Sequence, residues 1–158
     1  MNPDKFIFGF NANLGGFTAW AWGSYLETGS GPSLSLEFSR GNFNSEINFM
    51  VPFAGFGTLI TFNYFGHSRI GGGYIGGGIG YSFYEAYGSS GYPFFRYERY
   101  IAHSLTVGLN GGYKFVTRSG VYFRTGAFVG FDFGCYWNRS YTMPIYIKPD
   151  LAIGWTMR

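Results

Sequence analysis

The sequence predicts an all-β chain that closes as an eight-stranded antiparallel up-and-down transmembrane β-barrel with a polar, side-chain-plugged lumen. Three observations predict it. The first is the stretch Leu105–Phe133, two long alternating runs joined by a tight turn at Thr117–Gly120. Leu105, Val107, Leu109, Tyr113 and Phe115 share one face, against Thr106, Gly108, Asn110, Gly112 and Lys114 on the other. That is the period-two signature of a strand. In the second run Val121, Phe123, Ala127, Val129, Phe131 and Phe133 oppose Arg124, Asp132 and the glycines at 126, 130 and 134. The uncharged face suits lipid, and the charged, glycine-rich face suits a lumen. A spanning strand needs roughly 9–11 residues, which both runs supply.

The second observation is composition. The chain is 23% aromatic and 12% charged, with 27 glycines among 158 residues. Its mean hydropathy is near zero, as alternation requires. A helical membrane protein would be clearly apolar and a disordered chain would lack aromatics. No run approaches the roughly 18 apolar residues of a transmembrane helix. The third observation is that the predicted connections sort by length, described below.

Taken in order, Lys5–Leu14 forms a first strand with Phe6, Phe8, Phe10, Ala12 and Leu14 against Ile7, Gly9, Asn11 and Asn13. Gly15–Gly16 breaks it, and Phe17–Pro32 reads as a long loop carrying Trp20, Trp22 and Tyr25. Ser33–Arg40 turns Leu34, Leu36 and Phe38 outward and Ser35, Glu37 and Ser39 inward. After a turn at Gly41–Phe43, Asn44–Val51 sends Ile47, Phe49 and Val51 outward, and Glu46, Asn48 and Met50 inward. Pro52–Gly57 connects to Thr58–Gly66, with Ile60, Phe62 and Tyr64 on one face and Leu59, Thr61, Asn63 and Phe65 on the other. His67–Gly72 turns the chain into Gly73–Tyr84, whose inner face is largely glycine. Glycine weakens a strand unless something needs the space, and here the space lets a large inward side chain from a neighbouring strand lie flat. Glu85–Ile101 reads as a second long loop with Arg96, Tyr97, Arg99 and Tyr100. Cys135–Pro144 reads as a third. Ile145–Met157 closes the chain with Ile147, Leu151, Ile153, Trp155 and Met157 outward and Lys148, Asp150 and Thr156 inward.

Connections after the first, fifth and seventh strands are thus long, and those after the second, fourth and sixth short, with the third an exception. Small outer-membrane barrels have short periplasmic turns and longer outer loops, which places both termini on the periplasmic side. One domain spanning 1–158 is expected.

The net charge of +3 does not point to nucleic acid, because Lys5, Arg40, Arg69, Arg118 and Arg158 stand alone and only Arg96 and Arg99 approach each other. The single cysteine, Cys135, excludes an intramolecular disulfide and a cysteine metal cage. The opening MNPDKFIFGF lacks the three regions of a signal peptide, so the chain is expected to be the mature form of an exported protein.

Inside the barrel the alternation gathers Glu37, Glu46, Asp132 and Asp150 against Lys114, Arg124 and Lys148, with Asn11, Asn48, Asn63 and Asn110 among them. Buried charges must pair, and an eight-stranded barrel is just wide enough for side chains to fill it. An ion-pair network closing the lumen is expected, rather than a channel or proton path.

The phrases SLEFSRGNFNSEINFMVPF, FNYFGHSRIGGGYIGGGIGYSFY, LNGGYKFVTRSGVYFRTG and IKPDLAIGWTM resemble the small eight-stranded outer-membrane barrels of spirochaetes, akin to the OmpW and OmpX type. The resemblance covers nearly the whole chain. It implies an outer-membrane barrel and, for the OmpW type, passage of small hydrophobic solutes. Such barrels often end in an aromatic residue, whereas this chain ends Trp155, Thr156, Met157, Arg158.

Other matches fail on chemistry. His67–Ser68 and His103–Ser104 resemble a base and nucleophile, but neighbours on a strand point to opposite faces. Gly71-x-Gly73-x-x-Gly76 has the letters of a dinucleotide fingerprint without the helix that binds phosphate. Asn138–Ser140 spells a glycosylation sequon, without force in a bacterial protein, and Glu37 with Glu46 lacks the cleft of a glycosidase. The expected role is non-enzymatic and cofactor-free: a monomeric barrel in outer-membrane lipid that meets an extracellular ligand through its loops. The alternatives are a transporter of small hydrophobic solutes, and a soluble lipocalin-like barrel with its apolar faces inside.

Overall fold

The computed structural model describes residues 6–14, 33–50, 55–66, 71–90, 96–136 and 139–157. Eight strands run in chain order: β1 (Ile7–Asn13), β2 (Ser33–Arg40), β3 (Phe43–Met50), β4 (Gly55–Phe65), β5 (Gly72–Ser90), β6 (Arg96–Val116), β7 (Val121–Tyr136) and β8 (Arg139–Met157). Each pairs antiparallel with its chain neighbours, and β1 pairs with β8 from Phe8↔Met157 to Asn13↔Ala152. The sheet therefore closes as an eight-stranded up-and-down barrel, leaving no unpaired edge around its girth. Among the described residues there is no helix.

The alternation in sequence becomes two faces in space. Hydrogen-bonded rows on the outside run Leu36↔Ile47↔Ile60↔Ile79↔Val107↔Phe131 and Leu34↔Phe49↔Thr58↔Tyr81↔Leu105↔Phe133. The inside rows run Glu37↔Glu46↔Thr61↔Gly78↔Gly108↔Gly130 and Asn44↔Asn63↔Gly76↔Asn110↔Phe128↔Lys148. A one-residue slip would exchange the two sets, so this pattern also fixes the register.

The inward glycines make room for aromatic rings. A Cβ on Gly78 or Gly108 would meet the ring of Phe128, one on Gly112 or Gly126 the hydroxyl of Tyr74, and one on Gly154 the ring of Tyr122. On the strand pair β6–β7, Cβ atoms at Gly108 or Gly126 would also collide with the opposing backbone within 2.5 Å.

Two of the expected long loops are strand instead. β5 and β6 stay paired from Tyr84↔Ala102 out to Ser90↔Arg96, so most of Glu85–Ile101 is ladder. Arg96, Tyr97, Arg99 and Tyr100, expected as loop contacts, are residues of β6 paired with Ser90, Ser89, Tyr87 and Ala86. Tyrosine and isoleucine favour strands, and the partner strand supplies the hydrogen bonds that Gly88 and the charges obscure in the sequence. Likewise Cys135–Pro144 is mostly paired: β7 reaches Tyr136 opposite Arg139. The register shifts between Gly130↔Tyr146 and Asp132↔Met143, which puts Pro144 in the irregularity, where its missing N–H costs no ladder bond. Smaller corrections are that β4 begins at Gly55 and β3 at Phe43, leaving Gly41–Asn42 as the whole turn. Trp20, Trp22 and Tyr25 lie outside the described residues.

Candidate functional site

Among the described residues, most charged side chains converge on the barrel interior. Its centre is Arg124 on β7, whose side chain crosses the lumen to three carboxylates from three other strands. Nη1 donates to Glu46 Oε2 and, at 3.2 Å, to Glu37 Oε1. Nη2 donates to Glu46 Oε1 and to Asp150 Oδ1, each at 3.0 Å. Nε stands 2.7 Å from Asp150 Oδ2. The planar guanidinium suits this task, because its fork serves several carboxylate oxygens at once.

Glu37 and Glu46 are direct cross-strand partners, an arrangement that repels when left alone. Here each is neutralised. Glu37 accepts from Lys114 Nζ at 2.5 Å and from the Tyr122 hydroxyl at 2.6 Å, and Asn11 Nδ2 reaches Glu46 at 3.0 Å. Lys114 Nζ also sits 3.8 Å from the centre of the Tyr122 ring, a cation–π contact. Asp150 accepts from Asn13 Nδ2 at 2.6 Å and from the Tyr74 hydroxyl at 2.8 Å. A ladder of amides continues the network along the wall, from Asn110 to Asn63 at 2.6 Å and Asn63 to Asn44 at 3.3 Å.

Glu37, Glu46, Lys114, Arg124 and Lys148 are all buried, and Asp150 nearly so. The structure brings Glu37, Glu46, Lys114, Arg124 and Asp150 together through ion pairs. Lys148 is buried beside them: its ammonium donates to Met50 Sδ at 3.4 Å, next to an apolar layer of Met50, Leu59 and Phe128. It lines a small cavity with Thr61 and Asn110, whose Oγ1 and Oδ1 are buried without a protein hydrogen bond. Such a polar lining suits a bridging water. Asp132 pairs with Thr106 in the β6–β7 ladder, and its side chain lies outside the described set.

Sequence reasoning missed Tyr122, the largest fully buried side chain among the described residues. The signal available was parity, since it sits between outward Val121 and Phe123 and two residues before Arg124.

Chemically, every carboxylate in the network is held by donors, which favours fixed charge over proton transfer. His103 faces outward and hydrogen-bonds Tyr81 at 2.6 Å, while Ser104 is buried on the opposite face. The two cannot act as base and nucleophile. Among the described residues no group of His, Cys, Asp and Glu has the geometry to hold a metal. Comparisons of the chain with protein-family models, with curated proteins and with solved structures give no match.

Proposed function

We propose that this chain is an integral outer-membrane β-barrel with a closed, side-chain-filled lumen and a structural or surface-interaction role. The observation that carries the reading is the inversion of its faces. Phe62, Leu109 and Phe123 are 60%, 67% and 52% exposed, whereas Glu37, Lys114 and Arg124 are 1%, 2% and 6% exposed. A water-soluble protein keeps large apolar patches small and ionised groups outside. Lipid reverses both preferences. Aromatics also gather toward the strand ends, with the pairs Phe8–Phe38, Phe10–Trp155 and Phe43–Tyr64 near the short turns and Phe49–Phe56–Phe83 at the other end. Between them lie Ile47, Ile60, Ile79 and Val107, matching the aromatic girdles and aliphatic belt of transmembrane barrels.

In this reading the termini and the turns at Gly41–Asn42 and Thr117–Gly120 are periplasmic, and the β5–β6 and β7–β8 hairpins reach outward as a non-enzymatic contact surface. The resemblance to the OmpW and OmpX type belongs to the same proposal. The solute-transport alternative needs an opening that the Arg124 network fills. The lipocalin-like alternative needs the apolar faces inside, and they are outside.

Refolding into detergent and phospholipid vesicles tests the reading. The folded chain is expected to run as a compact species on a detergent gel until boiled, and to give neither steady conductance nor uptake of apolar solutes. A monodisperse, folded chain in buffer without detergent would overturn it. Conductance or uptake would move the role to transport.

A further inference from the structure

A hydrogen-bonded polar pair sits on the apolar outer wall. His103 on β6 and Tyr81 on β5 both point outward, the Tyr81 hydroxyl 2.6 Å from His103 Nδ1 and the two rings stacked with centres 6.0 Å apart. Their surroundings on the wall are apolar: Phe56 and Phe83 lie in the row of His103, and Leu105 and Phe133 in the row of Tyr81, all with exposed side chains. Against acyl chains no water is at hand, so each hydrogen-bonding group there needs a partner from the protein or from the lipid.

The pair leaves one donor over. When the Tyr81 O–H donates to Nδ1, the neutral ring carries its proton on Nε2, and that N–H has no protein acceptor among the described residues. The opposite tautomer would leave two groups unmet, the Tyr81 hydroxyl proton and a bare Nε2, which costs more. Tyr81 therefore fixes His103 as an N–H donor on the outer wall. Height along the wall selects the acceptor. Phe115, exposed near the short turns, lies twelve residues from His103 along β6. On a strand tilted by about 40° that is about 30 Å along the barrel axis, the thickness of a bilayer's hydrocarbon core. With Phe115 at one boundary of the acyl region, His103 stands at the other, paired with Phe83 of the Phe49–Phe56–Phe83 aromatics. The acceptors at that level are headgroup oxygens, and those of the phosphodiester carry the negative charge that makes the strongest bond.

We infer that His103, positioned by Tyr81, binds the phosphate of a phospholipid through Nε2–H at the membrane boundary remote from the short turns. The inference rests on the membrane reading above. Nε2–H donates to an anionic phosphodiester oxygen, and the acyl chains of the same lipid lie along the exposed side chains of Leu105, Val107 and Leu109 below it. Tyr81 is a positioning residue: it touches the imidazole and sets which nitrogen carries the proton.

The test is solid-state NMR on the full chain refolded in phosphatidylcholine vesicles, in phosphate-free buffer so that lipid is the sole source of phosphorus. The chain has two histidines, so H67Q leaves His103 alone to carry a nitrogen-15 label. Nε2 is expected to show the shift of a protonated ring nitrogen and Nδ1 that of an unprotonated one. Nε2 should also be dephased by phosphorus across about 4 Å, one P–O bond beyond hydrogen-bond length. In Y81F that dephasing should fall by half or more as the second tautomer becomes populated. An unprotonated Nε2, or no dephasing by phosphorus there while acyl-chain protons still contact Leu109, overturns the inference and leaves the membrane reading standing. Undiminished dephasing in Y81F overturns it too, because Tyr81 then does not place the donor. Absence of acyl-chain contact at Leu109 overturns the membrane reading itself, and this inference with it.

Discussion

At the scale of single residues, Arg124 is the side chain on which the interior depends, because among the described residues it alone reaches all of Glu37, Glu46 and Asp150. Removing it leaves three carboxylates with Lys114, Tyr122, Tyr74 and two asparagines as partners, and breaking a buried ionic cluster from one side costs about 3–5 kcal/mol. Arg124→Ala is therefore expected to lower the unfolding free energy in vesicles by about that amount, read by urea titration of tryptophan fluorescence. An unchanged midpoint would contradict the network. Tyr122→Phe removes one hydrogen bond to a carboxylate and keeps the ring against Lys114, so about 1.5–3 kcal/mol should be lost in the same titration. Arg124 was legible in sequence because it is the one cation of its run and falls on the face opposite Val121, Phe123 and Val129. Tyr122 was passed over although parity set it inward, since an uncharged tyrosine carries no mark of an ionic partner. The partner of Lys148 was out of reach for another reason. Met50 lies 98 residues away, and which inward side chains meet across a barrel depends on strand tilt and stagger.

At the scale of elements, the hairpin turns show how the same residue type serves different needs. Gly41 has φ of +59° and open space where a Cβ would sit, whereas Gly120 has φ of +90° and a Cβ there would stand 2.6 Å from Thr156 O and 2.7 Å from Trp155 Nε1. Asparagine tolerates the left-handed region, so Gly41→Asn should change stability by no more than about 0.5 kcal/mol. Gly120→Ala adds backbone strain and a collision with the β8 carbonyl, and should cost about 1–3 kcal/mol in the same vesicle titration. Equal effects at the two positions would contradict the turn geometry. The strands from Ser33 to Phe65 and the β6–β7 seam were legible because alternation and turn residues agree there. The outer parts of β5–β6 and β7–β8 were not. Gly88 and Pro144 interrupt the pattern locally, and only the ladder Tyr87↔Arg99, or the register shift opposite Asp132, shows that the partner strand overrides them.

At the scale of the whole molecule, one physical difference separates a barrel in lipid from the same barrel in water: how the cost of an outward charge varies with height along the wall. β4 provides the measurement within one strand. Ile60 sits at its middle, between Ile47 and Ile79, and Tyr64 sits near its turn end, between Phe43 and Ile75. Both side chains point outward. Four residues of rise along a strand tilted by about 40° separate them by about 10 Å along the barrel axis. At the bilayer midplane an arginine on the lipid face costs about 2–4 kcal/mol, and near the interface about 0–1, because the long side chain can carry its charge into the headgroups. Ile60→Arg is thus expected to destabilise the vesicle-embedded barrel by about 2–4 kcal/mol and Tyr64→Arg by at most about 1. A barrel whose outer wall met water would show no such gradient, because a surface arginine is nearly neutral at either height. The comparison leaves the buried Arg124 network untouched in both variants, so a steep difference reports the solvent outside the wall and nothing about the side chains within it.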